Sequence, residues 1–542
     1  PRSGSQLEYG DASSGPVGAA DRSGAATVLS VMEDSVAGHN RWRHHQVTDP
    51  PRLERIATDV SLSPISRYGV CRRTHTRGGF EWLNTHRGTG LLPDIRLADM
   101  AAGVASLRKD IGTVLRVLPE MLPKPPTTKM SIGKRFQQSV DKYPDRDFLR
   151  FEGSSITYRE ANARANRLAD FLTREGVGKG DVVAVLSKNH PPDVVIAMLG
   201  IVKIGAICGM INFHQRGAVL EHSLGLIGAK VVLYQEDLVE ALDSVPESAR
   251  PSKEFTFEKL SSLTAPCSPV NPAATETVEL GSTAIYIFTS GTTGYPKASK
   301  MTHYRWLVAM NGIGGLGIRL RGDDVMYTAL PFYHNNALTI SLSSVLASGA
   351  CLAIGKQFSA SRFFDELIEN DATAFSYIGE LCRYLLAQPP KPTDRAHRVR
   401  LAVGNGLRPD IWDDFTGRFG IDRIVELYAA SEANIGFVNV FGLSKTAGFS
   451  PLPYIVVEYD EETGEPLRGP DGRVKKVGKG GTGLLLAQIN SRVPLRRVHR
   501  PPQGHREEDR PRRPQEGRPV VQQRRRRPRP GLQPHRIRRP HR

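Results

Sequence analysis

Hydroxyl, glycine and lysine residues are concentrated in one loop that directly follows an apolar, β-rich run at residues 284–288. Small residues let backbone N–H groups approach phosphate oxygens, hydroxyls donate hydrogen bonds, and a lysine neutralises charge. The spacing is not the G-x-x-x-x-G-K-[ST] of a Walker loop. A solvated surface turn is the alternative, but it does not explain four hydroxyls and a lysine after a predicted buried strand. The predicted phosphate-binding residues are Thr289, Ser290, Gly291, Thr292, Thr293, Gly294 and Lys297.

Three shorter segments, at residues 330–334, 404–408 and 428–432, carry the other candidate residues. A lone histidine at the end of a strand-like run is more often structural than catalytic. A lone glutamate after a strand is more often a solvated acid than a metal ligand. Neither residue by itself therefore indicates a function, and the interpretation depends on the order of all the segments along the chain. Their candidates are His334, Gly404, Asn405, Gly406, Tyr428, Ser431 and Glu432.

Alternating helix and strand patterns predict the elements that position these segments. A capping box at residues 157–160 begins a helix with apolar residues on one face, and Gly176 ends it. The alternation implies right-handed βαβ units and parallel sheets covered on both faces. After residue 454, short strands and turns predict a small antiparallel unit. The predicted strands are 182–186, 231–234, 350–354, 373–378 and 424–428, with helices at 338–347, 361–370 and 409–419.

The longest apolar stretch, residues 194–211, is interrupted by Lys203 and three glycines. A membrane-spanning helix needs about 20 mostly apolar residues, so a buried helix running into a buried strand is favoured. Five scattered cysteines without a C-x-x-C pair favour a reducing compartment, with neither a disulfide framework nor structural zinc. A cytoplasmic protein is therefore expected.

The net charge of +17 is concentrated in the last 51 residues. Residues 492–542 contain 18 Arg, no Lys and four acids, a net charge of +14, so residues 1–491 carry 55 − 52 = +3. A nucleic-acid or polyanion-binding role, which a basic chain suggests, would therefore concern the tail alone. No specific nucleic-acid partner is expected for the rest of the chain.

The four segments, in this order, resemble the motifs of adenylate-forming enzymes, the superfamily of acyl-CoA synthetases, luciferases and adenylation domains. Residues 404–408 and 463–466 are similar to the long- and very-long-chain acyl-CoA synthetase, or fatty-acid transport protein, branch. The resemblance implies an α/β fold, the large N-terminal domain of that superfamily. This domain has two parallel-sheet α/β subdomains and a small β unit. A mobile C-terminal small domain follows it in the family, and we expect it to be missing here.

The resemblance also implies roles for the candidates. The loop at 289–297 would hold the β and γ phosphates of ATP, Tyr428 would stack on adenine, and residues 404–406 would approach the adenine edge through their backbone. His334 would lie at the carboxylate and α-phosphate, and Glu432 would bind Mg²⁺ through a hard oxygen donor. Lys297, His334 and Glu432 are the predicted catalytic residues. Ala429 stands where the wider superfamily usually has Gly, a small-for-small exchange.

Three regions follow from these patterns: a disordered extension at 1–94, an AMP-binding domain at 95–494, and an Arg/Pro-rich disordered tail at 495–542. We interpret the tail as an out-of-frame translation. The branch typically continues Phe-Asp-Gly-Tyr-Thr-Asp-Pro, and TTC GAC GGG TAC ACC GAC CC, read after one inserted base, encodes residues 495–501. In the same phase, TGG TTC AAC AGC GGC GAC GTC GTC encodes residues 521–527.

The expected function is that of an ATP-dependent fatty acyl-CoA ligase, which forms acyl-AMP and then acyl-CoA from a long- or very-long-chain fatty acid. ATP, Mg²⁺ and coenzyme A are the expected cofactors and co-substrates. This chain would then be a weakly active or inactive version. One alternative is a ligase that transfers the acyl group to a carrier protein, and another is a non-catalytic nucleotide-binding remnant. Peripheral association with the inner face of the plasma membrane is a further option, and the oligomeric state stays open.

Overall fold

The strands of the chain form three sheets in a computed structural model. The structure describes residues 101, 103–105, 107–188, 192–289, 295–429, 435–478 and 480–489, and the backbone of Arg67–Val70. These residues all lie in the first of two units, 1–498 and 499–542. The predicted extension and tail lie almost entirely outside the described residues, so both stay predictions.

Within the described residues, seventeen strands carry the sheets. They are β1 (Arg67–Val70), β2 (Asp147–Phe151), β3 (Ser154–Thr157), β4 (Val182–Leu186), β5 (Ile207–Ile211), β6 (Ala229–Tyr234), β7 (Lys253–Thr256), β8 (Thr283–Thr289), β9 (Lys297–Thr302), β10 (Val325–Thr328), β11 (Cys351–Ile354), β12 (Ala374–Ile378), β13 (Leu401–Asn405), β14 (Arg423–Ala429), β15 (Gly436–Val438), β16 (Tyr454–Val457) and β17 (Leu484–Ile489).

Helices connect most of these strands. The α-helices are Ile111–Val117, Ile132–Lys142, Tyr158–Arg174, Asp193–Lys203, Gly217–Ile227, Val239–Asp243, Phe257–Thr264, His303–Ala309, Leu342–Ser348, Phe363–Glu369, Gly379–Leu386 and Pro409–Phe419. Two segments, Met310–Ile318 and Asn336–Ser341, are π-helical. Short 3₁₀ turns are Leu107–Asp110, Leu118–Met121, Glu236–Leu238, Glu247–Ala249, Ala273–Thr277 and Pro392–Asp394. No helix in the described part of the chain is sufficiently long and apolar to span a bilayer.

Two of the sheets are mainly parallel, as the alternating pattern predicts. The six-stranded sheet has the order β7-β6-β4-β5-β8-β9, and only the β8–β9 pair is antiparallel. The eight-stranded sheet has the order β15-β14-β13-β12-β10-β11-β2-β3, with antiparallel pairs only at its two edges. Strands β4 and β5 are buried along their whole length, because helices cover both faces of a parallel sheet.

The third sheet is small and antiparallel, with the order β1-β17-β16. The prediction of an antiparallel unit after residue 454 is therefore confirmed. Its turn at residues 460–464 closes through the Asp460 carboxylate, which accepts a hydrogen bond from the Thr463 N–H at 2.7 Å. Strand β1 lies within the predicted extension of residues 1–94, and the pairing of its backbone with β17 is the one feature of that extension that the structure describes.

The five predicted strands are confirmed as β4, β6, β11, β12 and β14, and the helix Pro409–Phe419 has its predicted bounds. Local signals explain this agreement. Thr157 caps the helix Tyr158–Arg174, accepting a hydrogen bond from the Glu160 N–H at 3.2 Å. Gly420 ends the helix Pro409–Phe419 in a left-handed conformation, with φ of 62°, which a residue without a side chain adopts at little cost.

The helix predicted near 338–347 is confirmed, although it begins as a π-helix and becomes α-helical only from Leu342, a change of hydrogen-bond register that apolar spacing does not reveal. The prediction for His334 is wrong. His334 does not end a strand, because β10 stops at Thr328. It lies instead in a turn in which its N–H donates to the Pro331 carbonyl at 3.1 Å.

Lys203, which interrupts the long apolar stretch, is fully buried where its helix crosses Tyr158–Arg174. Its ammonium donates to the side-chain oxygens of Asn162 and Asn166, each at 2.5 Å, and of Asn271 at 2.8 Å. Burial lowers the pKa of Lys203 to about 7. The confirmed helix and strand at this stretch, Asp193–Lys203 and Ile207–Ile211, thus accommodate the charge by giving it three amide acceptors.

Candidate functional site

The predicted residues Gly404, Asn405 and Tyr428 lie at the carboxyl ends of adjacent parallel strands. Strand β13 pairs with β12, with Gly404 opposite Tyr377, and it pairs with β14, with Gly404 opposite Glu426. Tyr428 is two residues further along β14, near the end of that strand. In open α/β sheets, ligands bind outside the carboxyl ends of the strands. This edge of the eight-stranded sheet is therefore a candidate binding site.

A buried carboxyl group holds the turn after β13 in place. Glu426 accepts hydrogen bonds from the Gly406 N–H through Oε1 and from the Tyr377 hydroxyl through Oε2. Burial raises the pKa of Glu426 to about 8, although these hydrogen bonds and the backbone of Leu407 oppose the shift. The position of Gly406 is therefore coupled to one titratable group beneath it.

Glycine is required where the turns after β12 and β13 approach each other. A Cβ on Gly404 would lie 2.2 Å from the Tyr377 carbonyl oxygen, and one on Gly379 would lie 1.9 Å from the Gly406 carbonyl oxygen. Gly406 also has a φ of 90°, a conformation that L side chains rarely adopt. The backbone at 404–406 is thus held in a conformation that side chains would disrupt.

The turn that carries His334 joins the same edge. Half-buried His334 packs its ring against Tyr333, with centroids 4.4 Å apart. Burial lowers the pKa of His334 to about 4, so the imidazole is neutral at pH 7. A neutral imidazole can donate or accept a hydrogen bond beside an anion without carrying a charge of its own.

Asn336 connects this turn to strands β12 and β13. Its Nδ2 donates to the Tyr377 carbonyl at 3.0 Å and lies 3.5 Å from Oδ1 of Asn405. The side chain is 8% exposed, and its buried Oδ1 has no hydrogen-bond partner within the described part of the chain. Through its amide nitrogen, Asn336 thus ties the His334 turn to the ends of β12 and β13.

The predicted phosphate loop is the turn of a hairpin in the other sheet. Thr289 ends β8 and Lys297 begins β9, and the two residues are cross-strand partners. The Thr289 hydroxyl donates to the Lys297 carbonyl at 3.5 Å. On the far side of the turn, the Pro296 carbonyl lies 3.1 Å from Nε2 of His222. Thr289 and Lys297 thus lie opposite each other at the ends of the two strands that the predicted loop joins.

An aromatic contact brings the two sheets together at these edges. Phe213 follows β5, the parallel neighbour of β8, and its ring packs edge-on against Tyr333 with centroids 5.6 Å apart. Since Tyr333 precedes His334, the His334 turn contacts the edge of both sheets. Phe213 therefore links the end of β5 to the His334 turn, and Asn336 links that turn to β12 and β13.

Comparison with known proteins agrees with this geometry. Residues 136–480 match the family described as AMP-binding enzyme. The chain belongs to that family. It is 53% identical, over 403 residues, to the medium/long-chain-fatty-acid–CoA ligase FadD6 of Mycobacterium tuberculosis, covering 74% of this chain and 67% of that one. It is 34% identical over 435 residues to long-chain fatty acid transport protein 2 of Rattus norvegicus, covering 75% and 66%.

The chain spans about two thirds or less of the length of these curated relatives. A third relative, long-chain fatty acid transport protein 1 of Homo sapiens, is 36% identical over 393 residues, and the match covers 68% of this chain and 60% of that one. The resemblance to the fatty-acid transport protein branch, which the sequence motifs indicated, is confirmed by these matches.

Solved structures of AMP-binding enzymes share the fold. An anthranilate CoA ligase in complex with anthranoyl-AMP superposes with a TM-score of 0.60 at 19% identity, covering 70% of this chain and 72% of that one. The N-terminal domain of FACL13 from Mycobacterium tuberculosis superposes with a TM-score of 0.57 at 22% identity, covering 68% and 92%. The predicted fold class, an N-terminal domain with two parallel-sheet subdomains and a small β unit, is confirmed.

Seven of the predicted site residues of this AMP-binding enzyme lie among the described residues. Thr289 and Lys297 are opposite each other in the β8–β9 pair, Gly404, Asn405 and Tyr428 lie at the ends of β13 and β14, and His334 and Gly406 lie in turns. Their roles in binding and catalysis stay predictions. The other predicted residues lie outside the described residues: Ser290, Gly291, Thr292, Thr293, Gly294, Ser431 and Glu432. The sequence-based roles of this second set, including Mg²⁺ binding by Glu432, stay predictions.

Sequence reasoning missed four residues that contact these turns: Asn336, Tyr377, Gly379 and Glu426. Glu426 carried the clearest signal, since it is a carboxylate inside the apolar run that forms β14. Tyr377 and Gly379 lie at the end of a predicted strand but belong to no motif. Their contacts with Glu426 and Gly406 arise because β12, β13 and β14 are neighbours, which the order of residues along the chain does not show.

Proposed function

We propose that this AMP-binding enzyme activates fatty acids with ATP, forming acyl-AMP and then acyl-CoA. The observation that carries the proposal is the set of residues at the ends of β13 and β14, in the His334 turn and in the β8–β9 hairpin. It combines a glycine-lined turn, a neutral histidine and a threonine–lysine hairpin in a chain 53% identical to a fatty-acid–CoA ligase. Activation of a carboxylate requires two anions to be brought into contact, so the site must screen their charges.

The adenine of ATP would lie at the turn after β13. Tyr428 offers a ring for stacking, and the backbone at 404–406 can approach the base closely because Gly404 and Gly406 have no side chains. These contacts are uncharged, which suits a base rather than a phosphate. The nucleotide would therefore extend from this turn towards the hairpin.

The phosphates would be held by the hairpin, with Lys297 neutralising charge and Thr289 donating a hydrogen bond. The fatty acid carboxylate oxygen attacks the α-phosphorus, and pyrophosphate leaves; the thiol of CoA then attacks the acyl carbonyl, and AMP leaves. Neutral His334 would orient the carboxylate without adding charge. Glu432 is proposed as the ligand of Mg²⁺, which would neutralise the phosphate charge that develops.

Two assays test this function. Fatty-acid-dependent exchange of labelled pyrophosphate into ATP reports acyl-AMP formation, and thioester analysis with CoA or with an acyl carrier protein reports the acceptor. In a chain whose reading frame has been restored, we expect exchange with long-chain acids and thioester formation with CoA. Transfer to the carrier protein alone would identify the alternative ligase. Nucleotide binding without exchange, in a chain whose reading frame has been restored, would identify a non-catalytic remnant.

For residues 495–542, our proposal remains an out-of-frame reading of the gene. The nucleotide sequence around the codons for Val493 to Arg496 tests it directly, because one additional base is required there. The competing proposal, a polyanion-binding arm, predicts DNA affinity that falls steeply with salt, since arginine–phosphate contacts release counterions. If the nucleotide sequence contains the additional base and the chain does not bind DNA, the proposal of a polyanion-binding arm is rejected.

We expect Gly379→Ala to raise the KM for ATP about tenfold, with a smaller effect on kcat. The new Cβ would lie 1.9 Å from the Gly406 carbonyl oxygen, so the turn after β13 must move away from its position at the adenine. Steady-state pyrophosphate release at varied ATP measures the change. Gly417→Ala is the matched control, because its Cβ would meet nothing within 4 Å. An unchanged KM for ATP in Gly379→Ala would show that the turn after β13 does not contact the nucleotide.

Peripheral association with a membrane belongs to the same proposal. Long-chain fatty acids are amphiphiles that partition into bilayers, so an enzyme that consumes them gains from working at the bilayer surface.

A further inference from the structure

The helix Ile111–Val117 and the 3₁₀ turn Leu118–Met121 that continues it pack one apolar face on the domain. Val117 is buried, and it contacts the π-helical segment Met310–Ile318 so closely that a Cβ on Gly315 would lie 2.6 Å from it. Val114 and Met121, which are half-buried, lie on the same side at spacings of three and four residues. This inner face explains why the segment is ordered against the domain.

The outer face of the segment is also apolar. Ile111 and Leu115, one turn apart in the α-helix, are 51% and 62% exposed, and Leu118 and Leu122, in and directly after the 3₁₀ turn, are 49% and 66% exposed. We call these four residues the apolar strip. A surface helix of a soluble protein usually has a polar outer face, and a helix that is apolar on both sides is normally covered.

A basic groove adjoins the apolar strip. It has a volume of about 270 Å³ and includes Leu122 of the strip. Its charged lining residues are Arg116, Lys124, Arg135, Lys142 and Glu120. Glu120 is the one acid among them, and it is already paired with Lys124 at 2.6 Å. The groove therefore carries a net positive charge directly beside exposed leucines.

We propose that the apolar strip and the basic groove form a docking surface for a bilayer containing anionic phospholipid. Apolar side chains would enter the acyl boundary, while the groove would receive a lipid phosphate. The combination favours this occupant. A second copy of the chain would place the cationic groove against cations, and an uncharged partner would leave those cations unpaired. The proposal locates the peripheral association included in the proposed function.

The test is vesicle flotation of the full 542-residue chain with phosphatidylcholine vesicles and with vesicles that also contain phosphatidylglycerol. Leu115→Ser/Leu118→Ser should lower the partition coefficient on both vesicles by about tenfold or more, because less apolar area enters the bilayer. Arg116→Gln/Lys142→Gln should lower it on the anionic vesicles alone, by about fivefold for each charge removed.

The arginine-rich residues 492–542 are present in every variant, so their attraction to anionic lipid is common to all comparisons. At about 0.5 M salt, where exposed charges are strongly screened, the effect of the leucine variant should persist. Val270→Ser is the control for the strip, since Val270 is 72% exposed elsewhere, and Lys259→Gln/Lys475→Gln is the control for the groove.

Equal partition of the leucine variant and the Val270 control would overturn the proposal. A second result would also overturn it: the leucine variant sediments as a monomer where the lipid-free wild type sediments as a dimer, and its vesicle binding is unchanged. The apolar strip would then be a contact between two copies of the chain. Thermal unfolding of each variant identifies any loss of folding. The readout is lipid binding and not acyl transfer, so the docking surface and the proposed enzyme activity can fail separately.

Discussion

Replacing Lys297 with alanine should lower fatty-acid-dependent pyrophosphate release by about 10²–10³-fold, with little change in Tm. Lys297 begins β9 opposite Thr289, at the open end of the hairpin loop, where it would compensate phosphate charge that grows in the transition state. The loss of one preorganised charge-stabilising group typically has this effect on rate. Rapid-quench measurement in a chain with the restored reading frame gives the chemical step directly.

Lys300→Ala is the matched control for this variant. Lys300 lies on the same strand, paired with Tyr286 and three residues further from the loop, so its removal changes the net charge equally. We expect Lys300→Ala to retain nearly full activity. If the two variants lost activity to the same extent, general electrostatics of β9 would explain the effect, and Lys297 would have no specific role at the phosphates.

Replacing Glu426 with glutamine should change how the free energy of unfolding depends on pH. Burial raises the pKa of Glu426 to about 8 in the folded protein, from an ordinary value of 4.5. Between these values the folded protein holds a proton that the unfolded chain has released, so raising the pH through this window favours unfolding. Each pKa unit corresponds to about 1.4 kcal/mol, so the wild-type protein should lose several kcal/mol between pH 5 and pH 8.

Glutamine resembles the protonated acid, so Glu426→Gln should match the wild type near pH 5 and be more stable near pH 8. Urea unfolding at a series of pH values measures this difference. Parallel curves for the two proteins would show that Glu426 does not titrate in the window. Glu426→Ala, which removes the acceptor of the Gly406 N–H, should raise the KM for ATP because the turn after β13 loses its anchor.

Glu366→Ala separates this effect of Glu426→Ala from a general loss of stability. Glu366 is likewise a carboxyl whose pKa is raised by burial, and it accepts a hydrogen bond from Tyr327, but it belongs to the helix Phe363–Glu369 and does not contact the turn after β13. We expect its KM for ATP to remain at the wild-type value. A similar rise in both variants would argue against a positioning role for Glu426.

Sequence alone determined the fold class and most of the strands that carry the site. The apolar runs of β4, β6, β11, β12 and β14 are read correctly because a strand covered on both faces of a parallel sheet is continuously apolar. The same physics explains a strand that was missed. Strand β13 is short and ends in Gly404 and Asn405, so it offers little apolar pattern although it lies in the centre of the sheet.

The sequence also predicted roles for the hairpin loop, His334 and the residues at 404–406, since their types and order indicate that chemistry. Only the tertiary structure decided what surrounds them. It showed that Glu426 and Tyr377 hold Gly406, that Asn336 ties the His334 turn to β12 and β13, and that Phe213 links the end of β5 to that turn. These contacts link residues up to 120 positions apart in the chain, as between Phe213 and Tyr333. Strand order brings such residues together, and strand order depends on the packing of the whole domain, so no local pattern could reveal them.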